Sequence, residues 1–305
     1  MAAIVDGNLW LVLLLAVAVG VSLGLLGGGG SILAVPLLVY VAGLDSKEAI
    51  ATSLFVVGAT SLAALVPHAR AGRVRWRTGL VFGAAAMVGA YAGGRLAAFI
   101  PGPVLLIAFS LMMLATAVAM IRGRREVEER EGGMRVGLVL AEGGVVGLVT
   151  GMVGAGGGFL VVPALVLLGG LPMSIAVATS LLVIAMKSFA GLGGYLASVQ
   201  IDWGLAAAVT AAAVLGSVLG GTLTGRIAPD TLRRGFGWFV VVMGVFVLAQ
   251  QAGAVLGTPL LGSLGIAAAV GVLTVAVAVL PREGGGRRGQ VNDQAADRLA
   301  SGDKP

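Results

Sequence analysis

The 305 residues include no cysteine, which excludes disulfides and thiolate metal sites. Histidine occurs once, at His68, and no cluster of His, Asp, Glu or Cys accompanies it. Enzymes assemble their acids, bases and metal ligands from such clusters, so neither an enzyme nor a metal or other cofactor is expected. Charge is also scarce, at 11% of residues. A soluble domain cannot cover its surface with so few charges. Met1 to Asn8 carries Asp6 and no basic residue, so a cleaved secretory signal peptide, which needs a positive start, is not expected.

The chain is instead 58% hydrophobic, with a mean hydropathy of +1.04. A helix needs about 20 mostly apolar residues to cross roughly 30 Å of hydrocarbon. Segments of that kind recur from Trp10 to Leu280, making the lipid bilayer the main partner. The formal charge of +6 does not point to nucleic acid, because the arginines cluster between apolar segments, as membrane orientation requires.

The sequence is duplicated at a fixed offset of 127, the difference between Pro163 and Pro36. Gly24, Gly27, Gly29, Gly30, Val35 and Pro36 match Gly151, Gly154, Gly156, Gly157, Val162 and Pro163. The run Ala51-Thr52-Ser53-Leu54 matches Ala178-Thr179-Ser180-Leu181, and Trp76 and Gly93-Gly94 match Trp203 and Gly220-Gly221. Apolar helices resemble one another by chance, but a Pro, a Trp and a Thr-Ser pair in one register do not arise that way.

Each copy opens with a helix that runs into glycines: Gly27-Gly28-Gly29-Gly30 in the first, Gly154-Ala155-Gly156-Gly157-Gly158 in the second. A glycine costs about 1 kcal/mol in a helix relative to Ala, so such runs predict a break. The apolar segments that follow, Ile32 to Leu44 and Phe159 to Leu171, are too short to span. Ordinary spans are predicted at 48–67, 78–99, 103–121, 174–196, 204–225 and 232–250, with a last one at 260–280 outside the repeat.

The placement of Lys and Arg decides between parallel and inverted copies, since these residues accumulate in short cytoplasmic loops. If each opening element is a hairpin and the copies are inverted, Arg70, Arg73, Arg75 and Arg77 share the cytoplasmic side with Arg122, Arg124, Arg125, Arg130, Arg135, Arg226, Arg233 and Arg234. Only Lys47 and Arg95 then face outward. Parallel copies would send Arg226, Arg233 and Arg234 outward as well.

The expected fold is therefore an all-α polytopic membrane protein of two inverted repeats, each opening with a Gly-broken helical hairpin, plus one extra C-terminal span. Its parts are a first transmembrane repeat over 8–122, a cytoplasmic basic loop over 123–135, a second repeat over 136–251, an additional transmembrane helix over 257–281 and a disordered cytoplasmic tail over 282–305. The N-terminus lies outside and the C-terminus in the cytoplasm.

Inverted repeats with broken helices are a recurring design of secondary transporters, which hold substrate where the breaks meet. Irregular backbone leaves amides and carbonyls that lipid cannot satisfy but a cavity can use. The short helices after the breaks aim unpaired N–H groups at them, an arrangement suited to an anion. Gly28, Gly29, Gly30 and Ser31 in one copy and Gly156, Gly157 and Gly158 in the other are the candidate substrate-binding backbone. Such runs also let helices pack closely, but duplication and the following Pro favour a site.

The duplicated hydroxyls Thr52, Ser53, Thr179 and Ser180 are candidates for the same cavity, against the alternative of bonding their own helix carbonyls. An ionisable group inside a span is costly and marks function by default. Lys187 is the candidate to balance a substrate's negative charge, and Glu142 the candidate coupling group, carrying a proton or pairing with Lys187. Either can instead snorkel or form a structural ion pair.

The duplicated Gly-rich run followed by Pro (Gly27 to Pro36, Gly154 to Pro163) and then Ala-Thr-Ser-Leu resembles the TauE/SafE, or sulfite exporter, family of membrane permeases. The likeness covers roughly residues 10 to 280. It implies a small anionic substrate, sulfite or a sulfonate such as sulfoacetate, carried across the cytoplasmic membrane, with export as the direction. A channel, a permease for another small anion, and uptake rather than export are the alternatives.

Overall fold

Ten α-helices account for most of the computed structural model, which describes residues 2–26, 31–122, 136–154, 157–167, 171–223 and 229–256. In chain order they are α1 (Ala2–Leu26), α2 (Ala34–Pro36), α3 (Ser46–Arg70), α4 (Trp76–Ala97), α5 (Gly102–Arg122), α6 (Val136–Val153), α7 (Gly158–Leu167), α8 (Met173–Tyr195), α9 (Trp203–Leu223) and α10 (Pro229–Leu256). No strand occurs among the described residues. The loop 123–135, the predicted span at 260–280 and the tail 282–305 lie outside them, as do Gly28, Gly29, Gly30 and Gly156.

Local sequence explains the helix ends. Asp45 caps α3 by accepting the Lys47 amide at 3.1 Å, and Asp202 caps α9 by accepting those of Gly204 and Leu205 at 2.9 and 3.1 Å. Gly72, at φ +68°, turns the chain after α3. Pro36 has no amide to offer the turn before it, and after it the helix widens into a π-helical stretch, Leu37–Val41, closed by the Ala42 amide on the Leu37 carbonyl at 3.1 Å.

Four helical stretches are long and apolar enough to cross a membrane: Ser46–Arg70, Trp76–Ala97, Ile175–Tyr195 and Trp203–Gly220. Shorter apolar stretches lie in α1, α5, α6 and α10. Large apolar side chains such as Trp10, Val88, Phe99 and Leu215 face outward from these helices. That exposure suits a lipid solvent and would be a liability in water. Trp76 and Trp203, each the first residue of its helix, are half exposed.

Contacts at the glycines give the helix directions. Gly143, Gly147 and Gly151 of α6 meet Phe82, Ala86 and Ala90 of α4 in rising order, so these helices run parallel. Val17 and Val21 of α1 meet Gly216 and Gly220 of α9 in the same sense. In both pairs backbone approaches backbone so closely that a Cβ on the glycine would overlap the neighbouring chain, which only small residues allow. Gly79, Gly83 and Gly94 of α4 meet Leu182, Met186 and Gly194 of α8, again parallel.

By contrast α3 and α8 are antiparallel. Leu54 lies against Gly191, Gly58 against Phe189, and Leu65 in one apolar cluster with Ala178 and Leu181. At the crossing, Val57 and Ile184 pack together with Ala34 of α2. Those two residues occupy equivalent positions in the duplicated sequence.

The α3 and α9 helices start at one end of the molecule, where Glu48 in the first turn of α3 lies by Asp202, the cap of α9. Further along α3, Phe55 packs edge to face on Trp203 at 5.4 Å. It follows that α1, α3 and α9 run one way and α4, α6 and α8 the other. The segment joining α6 to α8 therefore returns the chain to the end from which α6 set out, and the segment joining α1 to α3 does the same.

Candidate functional site

Ser53, Thr150, Lys187 and Tyr195 gather around Gly154 and Gly157 of the second glycine run. Helix α6 ends at Gly154, φ +74°, and Gly157, φ +64°, turns the chain into α7. L side chains rarely adopt such angles, so glycine is required on conformational grounds alone. Space requires it too: a Cβ on Gly157 would lie 2.6 Å from Thr150 Cγ2 and 2.7 Å from Lys187 Nζ. A Cβ on Gly154 would lie 2.6 Å from Ile50 Cγ2.

Three side chains from other helices tie down this break. Ser53 Oγ of α3 lies 3.0 Å from the Gly154 carbonyl and 2.7 Å from that of Ile50, sharing its one proton between them. Tyr195 of α8 donates its hydroxyl to the Met152 carbonyl. Lys187 Nζ of α8 donates to Thr150 Oγ1 at 2.7 Å, and Thr150 in turn donates to Val146 O at 2.7 Å. The last carbonyls of α6, which a helix cannot satisfy from within, are thus supplied by hydroxyls.

The head of α7 is left facing the break. Its first backbone bonds run from the Leu160 and Val161 amides to Gly157 O at 3.0 and 2.9 Å, which makes Gly157 the cap. The amides of Gly158 and Phe159, one and two residues on, therefore have no acceptor within the helix. Beside them stands Lys187, 1% exposed, whose terminal amine has donors beyond the one that the Thr150 bond uses. Among the described residues no carboxylate is bonded to it. A lysine amine next to a helix N-terminus presents N–H donors of the kind that an anion accepts from.

The remaining candidates fall in several places. Ser31 is fully buried at the start of the short helical segment before Pro36. Gly158 is the first residue of α7. Ser180 bonds the Val177 carbonyl of its own helix at 2.7 Å. Thr179 Oγ1 accepts the Arg75 amide at 3.1 Å, tying the start of α8 to the loop between α3 and α4. Thr52 is buried with its hydroxyl unpartnered, between Glu48 and Phe55 on the face of α3 toward Asp202 and Trp203. Glu142 Oε2 is buried without a partner, two helical turns before Thr150.

Two residues of this break escape a search for duplicated motifs. Thr150 corresponds to Leu23 and Tyr195 to His68, so neither has a like partner in the other copy. Lys187 itself corresponds to Thr60, whose hydroxyl bonds Val56 O at 2.6 Å. Only one half carries the charge.

Helices of membrane-spanning length, with a buried lysine beside a glycine break, define an integral membrane protein. The chain matches the sequence model of the family described as "Sulfite exporter TauE/SafE" over residues 12–247, and it belongs to that family. It is 35% identical over 237 residues to a probable membrane transporter protein of Xylella fastidiosa (strain 9a5c), covering 75% of this chain and 91% of that one. A probable membrane transporter protein of Methanocaldococcus jannaschii is 30% identical over 261 residues, covering 78% and 96%. One from Bacillus subtilis, YunE, is 28% identical over 233 residues, covering 68% and 85%. No solved structure matches.

Proposed function

We propose that this protein is a secondary transporter that exports a small sulfur-containing anion, sulfite or an organosulfonate, across the cytoplasmic membrane by alternating access. The observation that carries the reading is Lys187: a buried ammonium, bonded to Thr150 and set against Gly157 at the head of α7. An anion arriving there accepts from Lys187 and from the first amides of α7. Sulfur as its central atom rests on the family.

The two halves are read as inverted repeats. The antiparallel packing of α3 on its counterpart α8 supports this, as does the return of each broken element to its starting end. The same arrangement gathers every arginine between the spans except Arg95 on one side, which makes that side cytoplasmic and leaves the N-terminus outside. Exchange of the two halves between equivalent shapes then exposes the break to one side at a time. Glu142, partly exposed on α6 but with Oε2 buried and unpartnered, is the proposed proton-coupling group.

Proteoliposome flux tests the reading. Saturable, concentration-driven flux of sulfite or sulfoacetate by the purified protein is the expected result. Flux that fails to saturate would identify a channel instead, and no anion flux at all would remove the basis of the proposal.

A further inference from the structure

Hydroxyls inside membrane helices normally donate to a carbonyl of their own helix, and most here do. Ser53, Thr60, Ser110, Thr116, Thr150, Ser180 and Ser217 all bond a carbonyl three or four residues earlier. Ser61 and Ser188 do not. Both are 0% exposed, and neither hydroxyl has a partner. They are also repeat equivalents, since Ser61 moved by the offset of 127 is Ser188. Among the described residues this is the one repeat-related pair in which both hydroxyls are buried and unpartnered. Thr52 and Thr210 also lack a partner, but Thr179, the equivalent of Thr52, has one, and the equivalent of Thr210 is Gly83.

Their placement agrees with a shared task. Ser61 follows Val57 by one helical turn and Ser188 follows Ile184 by one turn, and Val57 and Ile184 meet where α3 crosses α8. Because those helices are antiparallel, the two serines lie on opposite sides of the crossing. Serines recur at four-residue steps along the same faces: Ser53, Val57, Ser61 on α3 and Ser180, Ile184, Ser188 on α8. Ser188 follows Lys187 in the chain and Ser61 follows Thr60, the residue equivalent to Lys187. Successive helical side chains diverge by about 100°, so Ser188 lies on the face toward α3 while Lys187 reaches Thr150 of α6.

Leaving a donor dry and unpaired costs stability, and doing so at equivalent positions of both copies points to something that visits both. We propose that Ser61 and Ser188 are substrate-binding residues on the translocation path, donating in turn to the oxygens of the oxyanion as it moves between the halves. Ser188 receives the anion on the α3-facing side of α8 after it leaves Lys187 and the second break; Ser61 supplies the matching donor in the first half, where Thr60 stands in place of the lysine. The inference rests on the anion-transport reading and adds to it a two-sided path with charge on one side only.

The test is Ser61→Ala and Ser188→Ala, separately and together, in proteoliposome flux of sulfoacetate and in thermal denaturation of the purified protein without substrate. Removing an unpaired buried hydroxyl should raise the melting temperature of each variant. Loss of a hydrogen bond to a charged group should raise KM by about tenfold or more. Ser110→Ala, which loses a hydroxyl already bonded to Ile107 O, is the control and should leave KM unchanged. If wild-type protein transports and both variants keep its KM, alone and combined, the serines bind no substrate and the inference is overturned. If the variants melt lower than wild type with KM unchanged, the hydroxyls have structural partners and it is overturned equally. Failure of the wild type to move any anion refutes the underlying transport reading, and the inference falls with it.

Discussion

Replacing Lys187 by Met separates function from folding, because the two should respond differently. Met has similar length and volume and no charge, so the space around Gly157 stays filled. Thr150 keeps its own acceptor, Val146 O at 2.7 Å, and is not orphaned by losing the ammonium. Exchanging a buried ion pair for apolar groups of similar size is often neutral or stabilising by about 1–4 kcal/mol, and removing a lone buried amine lifts the same kind of desolvation penalty. Against that stands the charge-assisted bond to Thr150, about 1.5–3 kcal/mol. The two offset to within about 2–3 kcal/mol, and the variant should express, fold and melt close to wild type. The anion has no such compensation: losing a buried charged partner costs about 2–5 kcal/mol, or at least about thirtyfold in affinity. Flux of sulfite and sulfoacetate into proteoliposomes, measured beside the melting temperature, reads both quantities. Near-normal melting with transport reduced thirtyfold or more is the expected pair. A strongly destabilised protein whose folded fraction still transports at the wild-type rate would refute the reasoning and make Lys187 a structural residue.

Other positions give independent checks. Gly157→Ala combines a left-handed backbone with a Cβ at 2.6 Å from Thr150, so it should cost about 1–3 kcal/mol and most of the flux, while Gly144→Ala, which meets nothing within 4 Å, should be silent in both assays. Ser53→Ala leaves the Gly154 carbonyl without its donor and should lower stability by about 1–3 kcal/mol, read as a lower melting temperature. Reporter fusions after residues 72 and 199 should report opposite sides of the membrane; the same side for both would end the inverted-repeat reading.

Much of the fold is legible in the sequence because lipid imposes a simple rule. The predicted spans at 48–67, 78–99 and 174–196 fall within a few residues of α3, α4 and α8. Apolar length fixes a span, and Asp45, Gly72 and Pro172 mark the ends. The direction in which a broken element leaves is not legible that way, since a crossing and a hairpin share one composition. It emerges from which glycines meet, such as Gly151 with Ala90 and Gly94 with Gly194.

The site divides similarly. Gly157, Ser53 and Lys187 announce themselves by duplication or by charge in an apolar run. Thr150 and Tyr195 do not, because each is a single polar residue in one copy, and only the fold brings them to the break. Thr179 shows the converse: its motif is duplicated, yet its hydroxyl serves the Arg75 loop. Sequence equivalence fixes position in the repeat, whereas hydrogen bonding depends on what the opposite half offers there, and Arg75 and Asp202 are equivalent positions with different neighbours.

The central claim is that a small anion sits at the second helix break. A crystal structure with bromomethanesulfonate, whose bromine scatters anomalously, tests it most directly. The expected result places the sulfonate oxygens within hydrogen-bond distance of Lys187 Nζ and the Gly158 amide, with the bromine peak beside them. A well-occupied sulfonate elsewhere in the membrane interior, with Lys187 still bonded only to Thr150, would contradict the account.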